Sequence, residues 1–346
     1  MNLAAVDKIA KAMLYEGYVL YPYRASAVKN RQRFNFGVLY PRAYSQAQGD
    51  LEPYLSQMKC LVAGNPNSRI EVRVRFLHLV DRALFQLDGQ SRFAVARMEV
   101  DGHIYQTWEE AAEQEISLPI TSLESLLATP LEWRADIEGS QSEEVIRNSR
   151  GEAVGIIVRT RQALHLLVEV NAQIISDGVF RLSIRVNNLT EMADSAVTRE
   201  KTLLRSAVSS HTILGVEDGK FVSLLEPPED LRAAVESCKN IGGFPVLLGA
   251  RGQHDTLLAS PIILYDYPEI AAESAGDLFD STEIDEILSL RIMTLTDEEK
   301  REVRGSDERA RRILERTEAL PQEQLMKLHG ALRGLRHVRA GEEVAP

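Results

Sequence analysis

The feature that most constrains the fold is a run of strict alternation from Ile70 to His78, where Ile70, Val72, Val74 and Phe76 interleave with Glu71, Arg73 and Arg75. Successive side chains on a strand point to opposite faces, so this pattern demands one buried face and one wet face, as an antiparallel sheet provides. A second alternation sets Leu164, Leu166, Val168 and Val170 against His165, Glu169 and Asn171. A third sets Phe180, Leu182, Ile184 and Val186 against Arg181, Ser183 and Arg185. Ser176-Asp177-Gly178 between them carries turn chemistry, so the pair reads as a hairpin with opposite charges available across the strands. A further hairpin is expected from Thr212–Val216, the turn Glu217-Asp218-Gly219-Lys220 and Phe221–Leu225. Shorter strands are expected at Arg33–Tyr40, Phe244–Leu248 and Pro261–Tyr265.

Helical signals are short except near the C-terminus. Asn2 is a good N-cap for residues 3–14, where Leu3, Val6, Ile9, Ala10, Met13 and Leu14 share one face before Gly17 ends the run. Thr107 with Glu110, and Thr296 with Glu299, have the spacing of capping boxes; the first predicts a short helix carrying Trp108. Pro228 suits the first turn of a helix to Cys238. A charged helix over Asp307–Glu318 and a last one from Pro321 to about Leu335 follow. The fold class expected is therefore α+β, an antiparallel, sandwich-like sheet body with short helices and a helical tail. Residues 137–151 turn polar and small and read as a linker or long loop. That divides the chain into an N-terminal α+β domain (1–136), a hairpin-rich domain (152–265), and an acidic segment with the helical tail (266–346).

At 346 residues the chain can bury a core without cross-links, and its two cysteines, Cys60 and Cys238, are too few for a disulfide framework and fit a reducing compartment. Net charge is −11, which argues against general nucleic-acid binding. The first fifteen residues carry Asp7, Lys8 and Lys11 and lack the apolar run of a signal peptide or span, so a cytoplasmic protein with no membrane partner is expected. Charge is nevertheless segregated: residues 1–43 hold seven basic residues against two acids, whereas 252–290 hold nine acids and no Lys or Arg.

Nucleotide loops, nucleophile elbows, paired cysteines and zinc-binding helix motifs are absent. The histidines at 78, 103, 165, 211, 254, 329 and 337 include no pair at metal-ligand spacing, and neither a metal nor another cofactor is expected. What stands out instead is a segment with six of the ten tyrosines between Tyr15 and Tyr44 and no acid between Gly17 and Gly49. Aromatic bodies with polar tips beside arginines make a recognition surface. The candidate partner-binding residues are Tyr15, Tyr18, Tyr21, Tyr23, Arg24, Lys29, Arg31 and Arg33, with an acidic counterpart at Asp266, Tyr267, Asp280, Glu283, Asp285 and Glu286. The alternative is an enzyme of unspecified reaction using the acidic stretch with Arg251 and His254.

Three stretches carry a resemblance: Tyr15–Arg33 with its Tyr21-Pro22-Tyr23-Arg24 and Lys29-Asn30-Arg31-Gln32-Arg33; Ser260–Pro268 with Tyr265-Asp266-Tyr267-Pro268; and Asp280–Leu288 with Thr294–Lys300. Together they resemble an uncharacterised family of bacterial proteins encoded beside nickel-iron hydrogenases of the high-affinity, actinobacterial kind. The resemblance implies an accessory protein for assembly or maturation, touching a hydrogenase subunit or a maturation protein. The chain lacks the histidine tract, paired cysteines and nucleotide loop that metal delivery needs, which leaves a non-catalytic interaction role as the expected function.

Overall fold

A computed structural model describes residues 33–193, 197–269, 292–306 and 308–319, with Asp7, Ile9, Leu14 and Tyr15. In chain order the elements are helix α1 (Arg42–Ala47), strands β1 (Leu55–Asp88), β2 (Ser91–Val95), β3 (Arg97–Val100), β4 (His103–Gln106), β5 (Trp108–Ser117) and β6 (Thr121–Ser122), helix α2 (Leu123–Ala128), and strands β7 (Leu131–Ile137), β8 (Ser140–Arg147), β9 (Ala153–Arg161), β10 (Leu164–Ser176) and β11 (Val179–Asn188). Helix α3 (Arg199–Leu203), strand β12 (Val208–Phe221), helix α4 (Arg232–Glu236), strands β13 (Phe244–Leu247) and β14 (Thr256–Ser260), and helices α5 (Asp297–Ser306) and α6 (Glu308–Glu318) follow. The fold is a sheet-rich α+β fold, antiparallel in every pairing.

Strand β1 is the spine. Its 34 residues far exceed the usual five or six, and they serve two rows of partners. One side pairs β11, β6, β5 and β2 in succession; the other pairs β12 and then β9. Register shifts at Gly64/Arg69 and Arg75/Leu77 bend it, as bulges do. The alternation changes face at the second shift. Met58, Cys60 and Val62 before the first shift, and Ile70, Val72, Val74 and Phe76 after it, point into the main core, which they share with β10, β11, β12, β14 and helix α2. Leu77 and Leu79 instead join a second cluster with Phe34, Tyr40, Tyr44 and Leu203. The polar face of Ile70–Phe76 is closed by ions rather than water alone: Arg73 bonds Glu71 (2.7 Å) and Glu115 (3.2 Å), and Arg75 bonds Asp7 (2.5 Å) and Glu115.

The expected β10–β11 hairpin forms, with Val168 opposite Val186 and Val170 opposite Ile184. Other expectations need correction. Residues 140–147, read as part of a linker, form β8 and pair with β9, and β1 pairs strands from both sides of that segment. Glu217–Lys220 is no hairpin turn: β12 runs straight through it along β1, and Asp218 (φ 56°) faces the bulge between Gly64 and Arg69. There Ser68 Oγ donates to Asp218 O (2.6 Å) and accepts from Asn65 N (3.0 Å).

Trp108 opens strand β5 rather than a helix, because pairing along the whole of Arg73–Arg82 outweighs the local capping signal. Residues 33–40 contribute only a bridge of Leu39 to Ala207, since Phe34 and Gly37 adopt positive φ and break the extended run. The last strand, β14, lies at Thr256–Ser260, before Pro261, which has no N–H to give a ladder. The Thr296–Glu299 capping box is formed in both directions (2.9 and 3.2 Å). The opening helix apart from the few residues named, and the helix from Pro321, lie outside the described residues.

Candidate functional site

The segment Ser260–Pro268 is fixed at both ends and exposed in the middle. At its start, Ser260 Oγ lies 3.3 Å from His211 Nε2 and accepts from Ile262 N (3.2 Å). Pro261 packs on Gly37 so closely that a Cβ there would meet its ring at 2.6 Å. At its end, the Asp266 carboxylate accepts from Leu247 N (2.7 Å) and Ser223 Oγ (2.5 Å), and Tyr267 N donates to Leu247 O (2.7 Å). Tyr267 holds φ 57° and packs on the main core. Between the anchors, Ile263 is 73% exposed and Tyr265 86% exposed. Phe36, also exposed, immediately precedes Gly37, on which Pro261 packs. An apolar pair on a pinned loop can bind without a large ordering cost.

A second feature surrounds Arg33. Its guanidinium, almost fully buried, stacks 3.6 Å from the Trp108 ring centroid and 4.8 Å from that of Phe34, and it pairs with the Glu109 carboxylate. Arg199 braces the same turn by donating to Phe34 O (2.8 Å), Arg33 O (3.3 Å) and Tyr40 Oη (3.1 Å). These groups line a cleft of about 540 Å³ with Leu79, Asp81 and Leu203. Loss of hydration, and then the Glu109 carboxylate, push the Asp81 pKa above its ordinary value. Arg33 is thus a packed cation–π and ion-pair centre, reached by the sequence through charge; its partners Trp108 and Glu109 were hidden by the false helix signal.

The remaining expected residues fall as follows. Tyr15 Oη donates to Glu113 (2.7 Å), which sets it against β5. Asp266 and Tyr267 are anchors, with the carboxylate turned inward. Tyr18, Tyr21, Tyr23, Arg24, Lys29, Arg31, Asp280, Glu283, Asp285 and Glu286 lie outside the described residues. The described ends of the two oppositely charged segments, Arg33 and Asp266, are each satisfied by other groups. For the enzymatic alternative, His254 Nδ1 bonds Phe221 O (3.0 Å) and its Nε2 lies 3.5 Å from Tyr267 Oη, while Arg251 is exposed on a turn. His254 therefore ties the loop to β12 and to Tyr267.

No protein-family model matches the chain, and no curated protein matches it. Among the described residues, no group of three His, Cys, Asp or Glu is placed to hold a metal ion, and no helix is long and apolar enough to cross a membrane. Burial drives the pKa of both His78 and His211 down to about 4, so these imidazoles are neutral core groups at physiological pH. The sequence pattern over Pro261–Tyr265 predicts a strand for Ile263 and Tyr265. Their exposure depends on Asp266 and Pro261 being held by Leu247, Ser223 and Gly37, contacts that no local pattern announces.

Proposed function

We propose that the chain is a non-catalytic interaction protein that presents the Ile263–Tyr265 loop to a protein partner, and that the partner belongs to a nickel-iron hydrogenase system, as a subunit or a maturation protein. The carrying observation is the pairing of two highly exposed apolar side chains with a backbone anchored on both sides by Pro261, Asp266 and Tyr267. Large exposed apolar groups on a rigid support favour partner capture, since aromatic anchors supply much of an interface's energy. The hydrogenase assignment rests on the resemblance of the three sequence stretches, one of which contains this loop.

The test is interferometry of the full chain against purified large and small hydrogenase subunits and their maturation proteins, for the wild type and an Ile263→Ser, Tyr265→Ser double variant. Because both side chains are exposed, folding stability should change by no more than about 0.5 kcal/mol. Binding should weaken about tenfold or more. Equal binding by the two proteins rejects the loop as the contact, and no binding to any of these subunits rejects the hydrogenase assignment.

A further inference from the structure

The outer face of the sheet made by β1, β11 and β10 carries a small polar cavity of about 230 Å³. Register places its lining in rows. Lys59, Ser183 and Asn171 lie abreast on the three strands, and Arg185 and Arg181 stand two residues to either side of Ser183. Neighbours in such a grid are about 4.8 Å apart across strands and about 6.7 Å apart along one. Ser183 is the short side chain at the centre, so the longer ones around it form the rim. The residues after α4 are tied to the same stretch of β1: Gln57 Nε2 donates to Lys239 O (3.0 Å), and Asn240 Oδ1 accepts from Lys59 N (2.6 Å).

Three cations line this cavity against one carboxylate, Glu169, on a chain whose net charge is −11. Arg181 bonds Gln173 (3.3 Å) and Ser237 and also neighbours the Cys238 thiol, so it contributes charge to the cavity rather than a free donor. Arg185 spends Nε and Nη2 on the single oxygen Gln57 Oε1 (3.2 and 3.1 Å). Half-buried Lys59 has no ion-pair partner for its ammonium among the described residues. Glu169, opposite Arg185 in the register, accepts from Asn187 Nδ2 (2.7 Å) and offsets one of the three cations. Three cations converging around a small hydroxyl, one of them without an ion-pair partner among the described residues, suit an oxyanion, which accepts several charge-assisted bonds at once.

We propose that this cavity is an oxyanion site for a phosphate group, free or as a phosphomonoester, held by Lys59, Arg181 and Arg185 over Ser183. The net lining charge of +2 (three cations, one carboxylate) matches a dianion. The volume lies below the roughly 300–1,000 Å³ of drug-sized sites, which fits one phosphoryl head and excludes a nucleotide's full burial.

The experiment is calorimetric titration of the full chain, in a buffer free of phosphate and sulfate, with inorganic phosphate and with glucose 6-phosphate. Variants Lys59→Gln and Ser183→Asp are compared after their melting temperatures are shown to match the wild type; Arg181, tied to Ser237, is left intact. The wild type should bind, Lys59→Gln should bind about tenfold more weakly, as expected for losing a charged hydrogen bond, and Ser183→Asp should not bind. Tighter binding of glucose 6-phosphate assigns the source to a phosphomonoester, and equal or weaker binding assigns it to free phosphate; either upholds the site. No binding of either probe, or wild-type affinity in both variants, overturns it.

Discussion

Arg82 shows how much of this structure hangs on single buried donors. Its Nε and Nη2 both donate to Gln106 O (3.1 and 2.8 Å), Nη2 also reaches Gly305 O (2.9 Å), and Nη1 pairs with Glu110 (3.1 Å). One side chain thereby joins β1, β4, β5 and α5. Arg82→Met removes the donors and leaves the carbonyls of Gln106 and Gly305 without their partner at a buried position, so it should destabilise by about 2–4 kcal/mol. A lower urea midpoint at unchanged slope is the expected readout. His78 makes the matching argument for pH. It is fully buried, its Nε2 bonds Leu204 O (3.3 Å), its Nδ1 has no partner, and burial followed by the Arg161 charge lowers its pKa to about 4. His211, lowered to about 4 by burial and by Arg75, behaves alike. Between pH 6.5 and 4 the unfolded chain takes up protons that the folded chain refuses. Stability is therefore complete above about pH 6.5 and is lost as pH falls towards 4, by about 3 kcal/mol per histidine. His78→Leu should flatten roughly half of that decline in urea titrations across pH, whereas an unchanged pH slope would show that His78 is not a source.

At the scale of elements, the attachment of α5 to the β3–β4 hairpin turns on one glycine. A Cβ at Gly305 would lie 2.3 Å from Ile104 O, a backbone atom that cannot yield cheaply. Intrinsic propensity says that Gly to Ala inside a helix gains about 1 kcal/mol. Gly305→Ala should do the reverse, loosening α5 and α6 from the hairpin, seen as faster amide exchange across Asp297–Glu318 while the β10–β11 amides stay protected. Elements whose signals are local were legible in the sequence. The alternations at Ile70–Phe76, Leu164–Val170 and Phe180–Val186 became strands, and Thr296 with Glu299 became a working cap. Elements defined by a distant partner were not. Asp218-Gly219 has hairpin chemistry, but the φ 56° of Asp218 is used opposite the Gly64–Arg69 bulge, a fact about β1. Trp108 and the polar residues of β8 carry no alternation, and only their pairing with β1 and β9 makes them strands.

At the largest scale, most of the described residues belong to one sheet organised on β1, and beside its β13–β14 edge runs a loop that the rest of the fold holds at both ends. Of the candidate surface, chemistry was legible and direction was not. Charge and aromatic content singled out Arg33, Asp266 and Tyr267, yet all three turn inward, to Trp108 and Glu109, to Leu247 and Ser223, and to the main core. The exposed groups are their neighbours Ile263 and Tyr265. Alternation of inward anchor and outward contact over a few residues is what a pinned binding loop requires, and it depends on contacts remote in sequence. The most direct test of this account is hydrogen exchange of the full chain with and without the purified hydrogenase subunit or maturation protein that binds it most tightly. New protection centred on residues 262–265 is expected, absent for the Ile263→Ser, Tyr265→Ser variant. Protection elsewhere, with residues 262–265 exchanging as in the free protein, would contradict it.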